Sequence, residues 1–243
     1  RQNQEGQGSR AGGVSVVPAG FYARKTVAVA RELLGHFLVS TVGGRRCAVR
    51  IVETEAYVGP DDPACHAYRR HRSARNEVMY GRPGLLYVYF TYGMHWCANI
   101  VTEREGYPAA VLLRGAEPVE GVELMRRRRH GVRDEEIASG PAKLAQALGI
   151  TGALNGHLLT HPPLWIELGE PVRPQRRASS PRVGVRRGAE RLLRFHERGN
   201  LCVSRPRAGR SARLIVPGEG APTAPAPSVP PAPRRTGWRS SVA

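Results

Sequence analysis

Residues 51–57 read Ile-Val-Glu-Thr-Glu-Ala-Tyr, and the fold turns on how that stretch is extended. Side chains of a strand alternate between its two faces. Glu53, Glu55 and Tyr57 therefore share one face, and Val52, Thr54 and Ala56 share the other. Two carboxylates and a phenol on one surface have two readings. The plainer is a solvated strand face beside arginine counter-charges; the sharper is a pair of acids placed for proton-transfer chemistry.

Working outward, Phe37–Thr41 and Arg46–Tyr57 flank Gly43-Gly44 and read as a hairpin. Leu85–Tyr92 and Ala98–Val101 flank Gly93 as a second, and Ala109–Arg114 is a further apolar run. These five runs predict a mostly antiparallel sheet. Before them, Val27, Ala30, Leu33 and Leu34 fall at helix-face spacing, so Thr26–Leu34 is predicted helical, with Gly35 as its stop. After them, helices are expected at Val119–Arg129, Lys143–Leu148 and Ala189–Arg194. Short strands are expected at Leu164–Leu168, Arg182–Val185, Leu201–Ser204 and Arg213–Val216. The class is α+β, without the βαβ rhythm of a dinucleotide-binding domain. No glycine-rich phosphate loop is present, so no nucleotide cofactor is expected.

The chain has 243 residues, 41% of them hydrophobic, which suits one domain with one core. Residues 1–17 are polar and Gly-rich and read as a flexible leader. From Pro217 the chain carries 7 of its 20 prolines, a composition that resists packing. The folded unit is expected at 18–216, with a disordered tail over 217–243. No stretch approaches the ~20 apolar residues of a membrane span, and no secretory leader is recognisable. A cytoplasmic, nucleoid-accessible location follows. Cys47, Cys65, Cys97 and Cys202 are widely spaced and form no C-x-x-C pair, so they read as reduced thiols.

Lysine and arginine number 37 against 20 acids, a net charge of +17. A field of that sign favours a polyanion over a neutral metabolite. In the turn-rich loop Gly59–His66 the adjacent Cys65 and His66 lack further ligands at finger-like spacing, so no metal is expected. Leu85–Tyr92 carries Tyr87, Tyr89 and Tyr92. Strand aromatics usually fill a core, yet phenol faces also stack on bases, at about 1–3 kcal/mol each. Tyr89 and Tyr92, three apart, cannot share a pleated face. Gly93-Met94 offers the bend that would lift Tyr92 to a hairpin apex, where an aromatic can wedge into a duplex.

Seven segments taken in order carry a resemblance: VETEAY at 52–57, ACH at 64–66, RN at 75–76, PG-x-LYVY-x-x-YGM at 83–94 with Cys97 and Asn99 following, VLLR at 111–114, SGPAKLAQAL at 139–148 and SPRVGV at 180–185. Together they resemble the alkyladenine (3-methyladenine) DNA glycosylase family across residues 52–185 of the chain. The resemblance implies one α+β domain around a curved antiparallel sheet, not a helix-hairpin-helix fold. It also implies a monofunctional enzyme that takes a damaged purine out of duplex DNA, since a stacked base hides its glycosidic bond.

Residue by residue, the resemblance makes Glu55 the general base and Arg114 the arginine that helps hold the attacking water. Glu53 becomes supporting. Tyr57, His66, Tyr89 and Asn99 become the base pocket, with Asn99 crowding the 2-amino group of guanine, and Tyr92 fills the vacated stack. Arg75, Met94, Lys143 and Arg182 lie in segments expected to touch DNA. Phosphate pairing is further expected from arginines in 69–75, 126–129 and 186–191, although 126–129 reads equally well as a solvated helix face. The basic loop Arg69–Arg75 and the long stretch Thr102–Pro108 depart from the family pattern. The implied partner is double-stranded DNA, met by a monomer, with no cofactor. A non-enzymatic nucleic-acid-binding module remains the alternative.

Overall fold

A computed structural model describes residues 15–205. Expectations for 206–243, including a strand at Arg213–Val216 and the proline-rich tail, lie outside the described residues, as does the leader up to residue 14.

The sheet is antiparallel throughout and is organised by its second strand. β1 (Phe37–Ser40) and β2 (Cys47–Tyr57) form the first hairpin, and β3 (Leu86–Thr91) and β4 (His95–Thr102) form the second. β5 (Ala109–Glu120) runs beside both β2 and β4. With the short β6 (Thr160–His161) and β7 (Leu164–Glu167), the spatial order is β3-β4-β5-β2-β1-β7-β6. β2 spans 11 residues, long enough to pair with β1 through Cys47–Arg50 and with β9 (Arg194–Glu197) through Glu53–Glu55. β9 in turn carries β8 (Arg177–Ser180).

Three irregularities interrupt the pairing of β2 with β5, and two of them fall between Ile51 and Thr54. Ile51 opposes Ala116, Glu53 opposes Gly115 and Thr54 opposes Leu113, so Val52 on one strand and Arg114 on the other drop out of the ladder. Bulges of this kind re-aim side chains beside sites of chemistry. Here both lie next to the two glutamates.

One face of β2 closes the core. α2 (Thr26–Glu32) lies against it, burying Val29 and Ala30 with Leu33 and Leu34, and Thr54 Oγ1 donates to the Ala30 carbonyl at 2.7 Å. α5 (Pro141–Leu148) adds Leu144 and Leu148 from beyond β4 and β5. Each such side chain stabilises by about 1.5–3 kcal/mol on burial. α1 (Ala19–Tyr22), α3 (Val122–Arg128) and α4 (Asp134–Ile137) complete the layer.

Several expectations are corrected. Ala189–Arg194 is not a helix: Gly188 takes a left-handed turn at φ 61°, and Arg194 begins β9. Arg182–Val185 and Leu201–Ser204 are turns and coil rather than strands. Order also begins before residue 18, since Val16 bridges to Glu167 and Val17 is buried with its N–H on the Ile166 carbonyl. No helix among the described residues is long and apolar enough to cross a membrane.

Candidate active site

Alternation along β2 puts Glu53, Glu55 and Tyr57 on one face, but that face is not solvated. Glu53 and Glu55 are both fully buried, so the plainer of the two sequence readings fails. Buried carboxylates need partners, and each has a different set.

Glu53 is an anchor. Its Oε1 accepts from Arg114 Nε at 2.9 Å, Arg194 Nε at 2.6 Å and Ser204 Oγ at 2.8 Å, and its Oε2 accepts from the Ser204 N–H at 2.7 Å. Burial pushes this carboxyl upward, but the Arg114 and Arg194 guanidiniums outweigh burial and hold it below the usual range. Glu55 is less heavily engaged: Oε2 accepts from the Tyr57 hydroxyl at 2.9 Å and Oε1 from the Val183 N–H at 2.7 Å. Arg114 bridges the pair, with Nη1 3.3 Å from Glu55 Oε2. Burial works against the Arg114 charge, and Glu55 and Glu53 more than restore it. Burial and the Glu55 anion push the Tyr57 phenol well above its ordinary value, so it stays a donor.

A cavity of about 580 Å³ opens in front of this group, within the range typical of small-molecule sites. Tyr57, His66, Tyr89, Asn99, Arg114 and Val183 all line it. Glu55 stands one hydrogen bond behind the wall, reached through Tyr57, Arg114 and Val183. His66 meets the edge of Tyr89 at 4.6 Å between centroids and pairs through Nδ1 with the Tyr87 hydroxyl at 2.9 Å. Burial, then Arg75, lowers the His66 pKa, so the ring is neutral near pH 7. Asn99 is oriented by its Nδ2, which donates to the Tyr87 carbonyl at 3.0 Å. Cys65, although adjacent to His66, bonds instead to the Pro108 carbonyl at 3.7 Å.

Arg182 does not contact solvent. Its side chain is buried and clamps Asp62 at 2.5 and 2.7 Å, while its guanidinium covers the Tyr57 ring at 4.7 Å. The expectation of a DNA contact is corrected: a guanidinium already paired inside the fold cannot reach a phosphate, and this one braces Tyr57. Lys143 reaches Ser139 Oγ at 3.3 Å and does not line the cavity.

The second hairpin ends as its spacing predicted. Tyr92 and Gly93 are both left-handed, at φ 52° and 68°, and Met94 N–H closes the turn on the Thr91 carbonyl at 3.2 Å. Tyr92 is 82% exposed, and Met94 is exposed beside it. Arg75 lines the cavity beside the hairpin's Tyr92, donating to the Phe90 carbonyl at 3.1 Å with its guanidinium over Tyr89. Arg186 and Arg187 form part of the cavity lining.

The helix-borne arginines fare differently. Arg126 is held by Glu123 and Asp134, Arg128 by the carbonyls of Val42 and Ala147, and Arg129 by the Ile137 carbonyl and Gln146. Arg128 and Arg129 thus bond to backbone within the fold, and Arg126 is held in surface ion pairs. Sequence reasoning missed Asp62, Val183, Arg194 and Ser204. Asp62 lay within a loop already singled out, whereas nothing local to Arg194 or Ser204 points at Glu53.

A carboxylate shielded from bulk water behind an aromatic-lined cavity suits chemistry on a flat, uncharged-to-cationic ring, and the arginines of that lining suit a polyanion carrying the ring. The class is a hydrolase acting on bases in nucleic acid. The model of the Methylpurine-DNA glycosylase (MPG) family matches residues 20–201, and the chain belongs to that family. It is a DNA glycosylase, a hydrolase of N-glycosyl bonds. Its relatives include proteins named "Putative 3-methyladenine DNA glycosylase" from Methanocella arvoryzae, 48% identical over 80% of this chain and 98% of the relative, and from Carboxydothermus hydrogenoformans, 47% identical over 78% and 99%. Another of that name, from Streptomyces avermitilis, is 50% identical over 68% of this chain and 79% of the relative.

Proposed function

We propose that this protein excises alkylated and deaminated purines, of the 3-methyladenine, 7-methylguanine, hypoxanthine and ethenoadenine class, from duplex DNA by hydrolysis, leaving an abasic site. The observation that carries the reading is the buried Glu55 carboxylate, one hydrogen bond behind an aromatic cavity and beside the Arg114 guanidinium. In the proposed mechanism Tyr92 enters the duplex as the damaged nucleotide leaves it. The purine lies against Tyr57 and Tyr89, within reach of His66, and Asn99 excludes a 2-amino group. Departure of the base develops positive charge on the sugar, as in glycoside hydrolysis, so a carboxylate close by both stabilises that charge and deprotonates water. Glu55 spends one acceptor position on Tyr57 and one on Val183, which leaves lone pairs for a water that Arg114 helps to hold. An N-alkylated purine is itself cationic and gains about 0.5–2 kcal/mol from the aromatic faces. Neutral His66 adds no opposing charge.

The deciding experiment compares wild type with Glu55→Gln in single-turnover base release from a hypoxanthine-containing duplex. A positioned base contributes about 10²- to 10⁴-fold, so the variant loses that much in rate while binding the lesion duplex with unchanged Kd. Equal rates remove Glu55 from the role. The product is an intact strand bearing an abasic site. Lys143 is turned to Ser139 and Lys25 lies beside Glu103, so neither lysine stands ready to form the Schiff base that strand cleavage requires. Nicking trapped by borohydride would contradict the monofunctional assignment.

A further inference from the structure

Ser204 lies beyond residue 201, where the family match ends, yet it reaches the centre of the carboxylate network. Its hydroxyl accepts from Arg114 Nη2 at 3.0 Å and donates to Glu53 Oε1 at 2.8 Å; its N–H donates to Glu53 Oε2 at 2.7 Å, and its carbonyl accepts from Arg194 Nη2 at 2.9 Å. A serine hydroxyl has one proton, so giving it to Glu53 fixes the oxygen as an acceptor for Arg114. The Arg114 guanidinium is thus held at Nε by Glu53 and at Nη2 by Ser204. A planar fork held at two of its nitrogens has one orientation, and in it Nη1 faces Glu55.

The segment carrying Ser204 is built to approach closely. A Cβ on Gly115 would stand 2.8 Å from Glu53 Oε2 and 2.9 Å from the Cys202 carbonyl, so only glycine admits both. Asn200 Oδ1 accepts from the Cys202 N–H at 2.9 Å, which shapes the turn that brings Ser204 in.

We propose that Ser204 is a positioning residue for base excision: the turn Asn200–Ser204 closes over Gly115 and locks Arg114 against Glu55 through their shared anchor Glu53. The inference rests on the reading of Glu55 as the general base.

The test uses the full chain. Ser204→Ala slows single-turnover release of hypoxanthine by about tenfold or more, as expected for loss of a hydrogen bond to a charged group, with Kd for the lesion duplex unchanged. In an Arg114→Lys background the same substitution changes the rate by less than about twofold, because residues acting through one another are not additive. Independently of activity, NMR of protein with ¹⁵N-labelled arginine shows separate Nη–H resonances for Arg114, identified by their loss in Arg114→Lys, and these merge in Ser204→Ala as the guanidinium begins to rotate. A wild-type rate in Ser204→Ala, full additivity with Arg114→Lys, or persistence of the separate resonances overturns the lock. Failure of the wild-type protein to release base would instead defeat the reading of Glu55, and the NMR comparison would still decide whether Ser204 immobilises Arg114.

Discussion

Glu53 and Glu55 stand two residues apart on one strand face, and their surroundings give them different work. Glu53 has two guanidiniums and a serine on its oxygens, while Glu55 has a phenol, one amide and the far edge of Arg114. Glu53→Gln therefore leaves Arg114 and Arg194 buried with too little negative charge, and breaking such a group costs about 3–5 kcal/mol. Urea unfolding measures this, and a loss below about 1 kcal/mol would show that the network is not the anchor described. His66 adds a pH effect. Burial lowers its pKa from 6.5, as it does for His36 and His196. A depressed folded value means that the unfolded chain takes up protons first. Stability is thus complete above 6.5 and declines as pH falls from there towards the folded values. Melting temperatures recorded from about pH 7 to about pH 5 should fall, and less steeply in His66→Gln. An unchanged slope in that variant would mean that His66 titrates alike in both states.

The hairpin of β3 and β4 shows what an element adds to its residues. Strand pairing fixes Tyr87 and Tyr89 opposite Asn99 and Cys97, and the left-handed pair Tyr92-Gly93 presents a phenol that nothing in the fold needs. Tyr92→Ala should accordingly leave stability within about 0.5 kcal/mol while lowering the extent of base extrusion. A 2-aminopurine placed beside the lesion reports extrusion by its fluorescence, and an undiminished signal would remove Tyr92 from that role. This element was legible because its cues are local: alternating aromatics, a spacing of three that a pleat cannot absorb, and Gly93. β2 was legible in its alternation but not in its burial, which comes from Arg114, Arg194 and Ser204, up to 151 residues away. Long-range pairing also overrode the periodicity of Ala189–Arg194, because Arg194 is drawn to Glu53 and Phe195 packs in the core. The burial of Arg182 was not legible for a related reason: the family segment that carries it does not say that its guanidinium meets Asp62 inside the fold.

At the scale of the whole molecule the +17 charge is not spread evenly over usable surface. Many arginines are consumed internally, among them Arg46, Arg50, Arg114, Arg182 and Arg194, each on a carboxylate. Around the cavity the position is reversed. Arg75, Arg186 and Arg187 line it, and none of the three makes an ion pair among the described residues. Net charge alone would place DNA anywhere on this protein; the proposal that it lies across the cavity mouth rests on these three guanidiniums beside the candidate base pocket. Each phosphate neutralised by such a cation releases condensed counterion and contributes about −0.9 to the slope of log Kobs against log salt. Arg186→Ala and Arg187→Ala should each make that slope shallower by about one such increment, for undamaged and lesion duplexes alike. Arg126→Ala, which frees Glu123 and Asp134 on the helix surface, should leave it unchanged. The comparison is made on the slope because affinity at a single salt concentration confounds phosphate contacts with base contacts. A slope that responds to Arg126 and not to Arg186 or Arg187 would move the duplex onto the helical side of the molecule, away from the cavity, and the path from bound DNA to Glu55 would have to be redrawn.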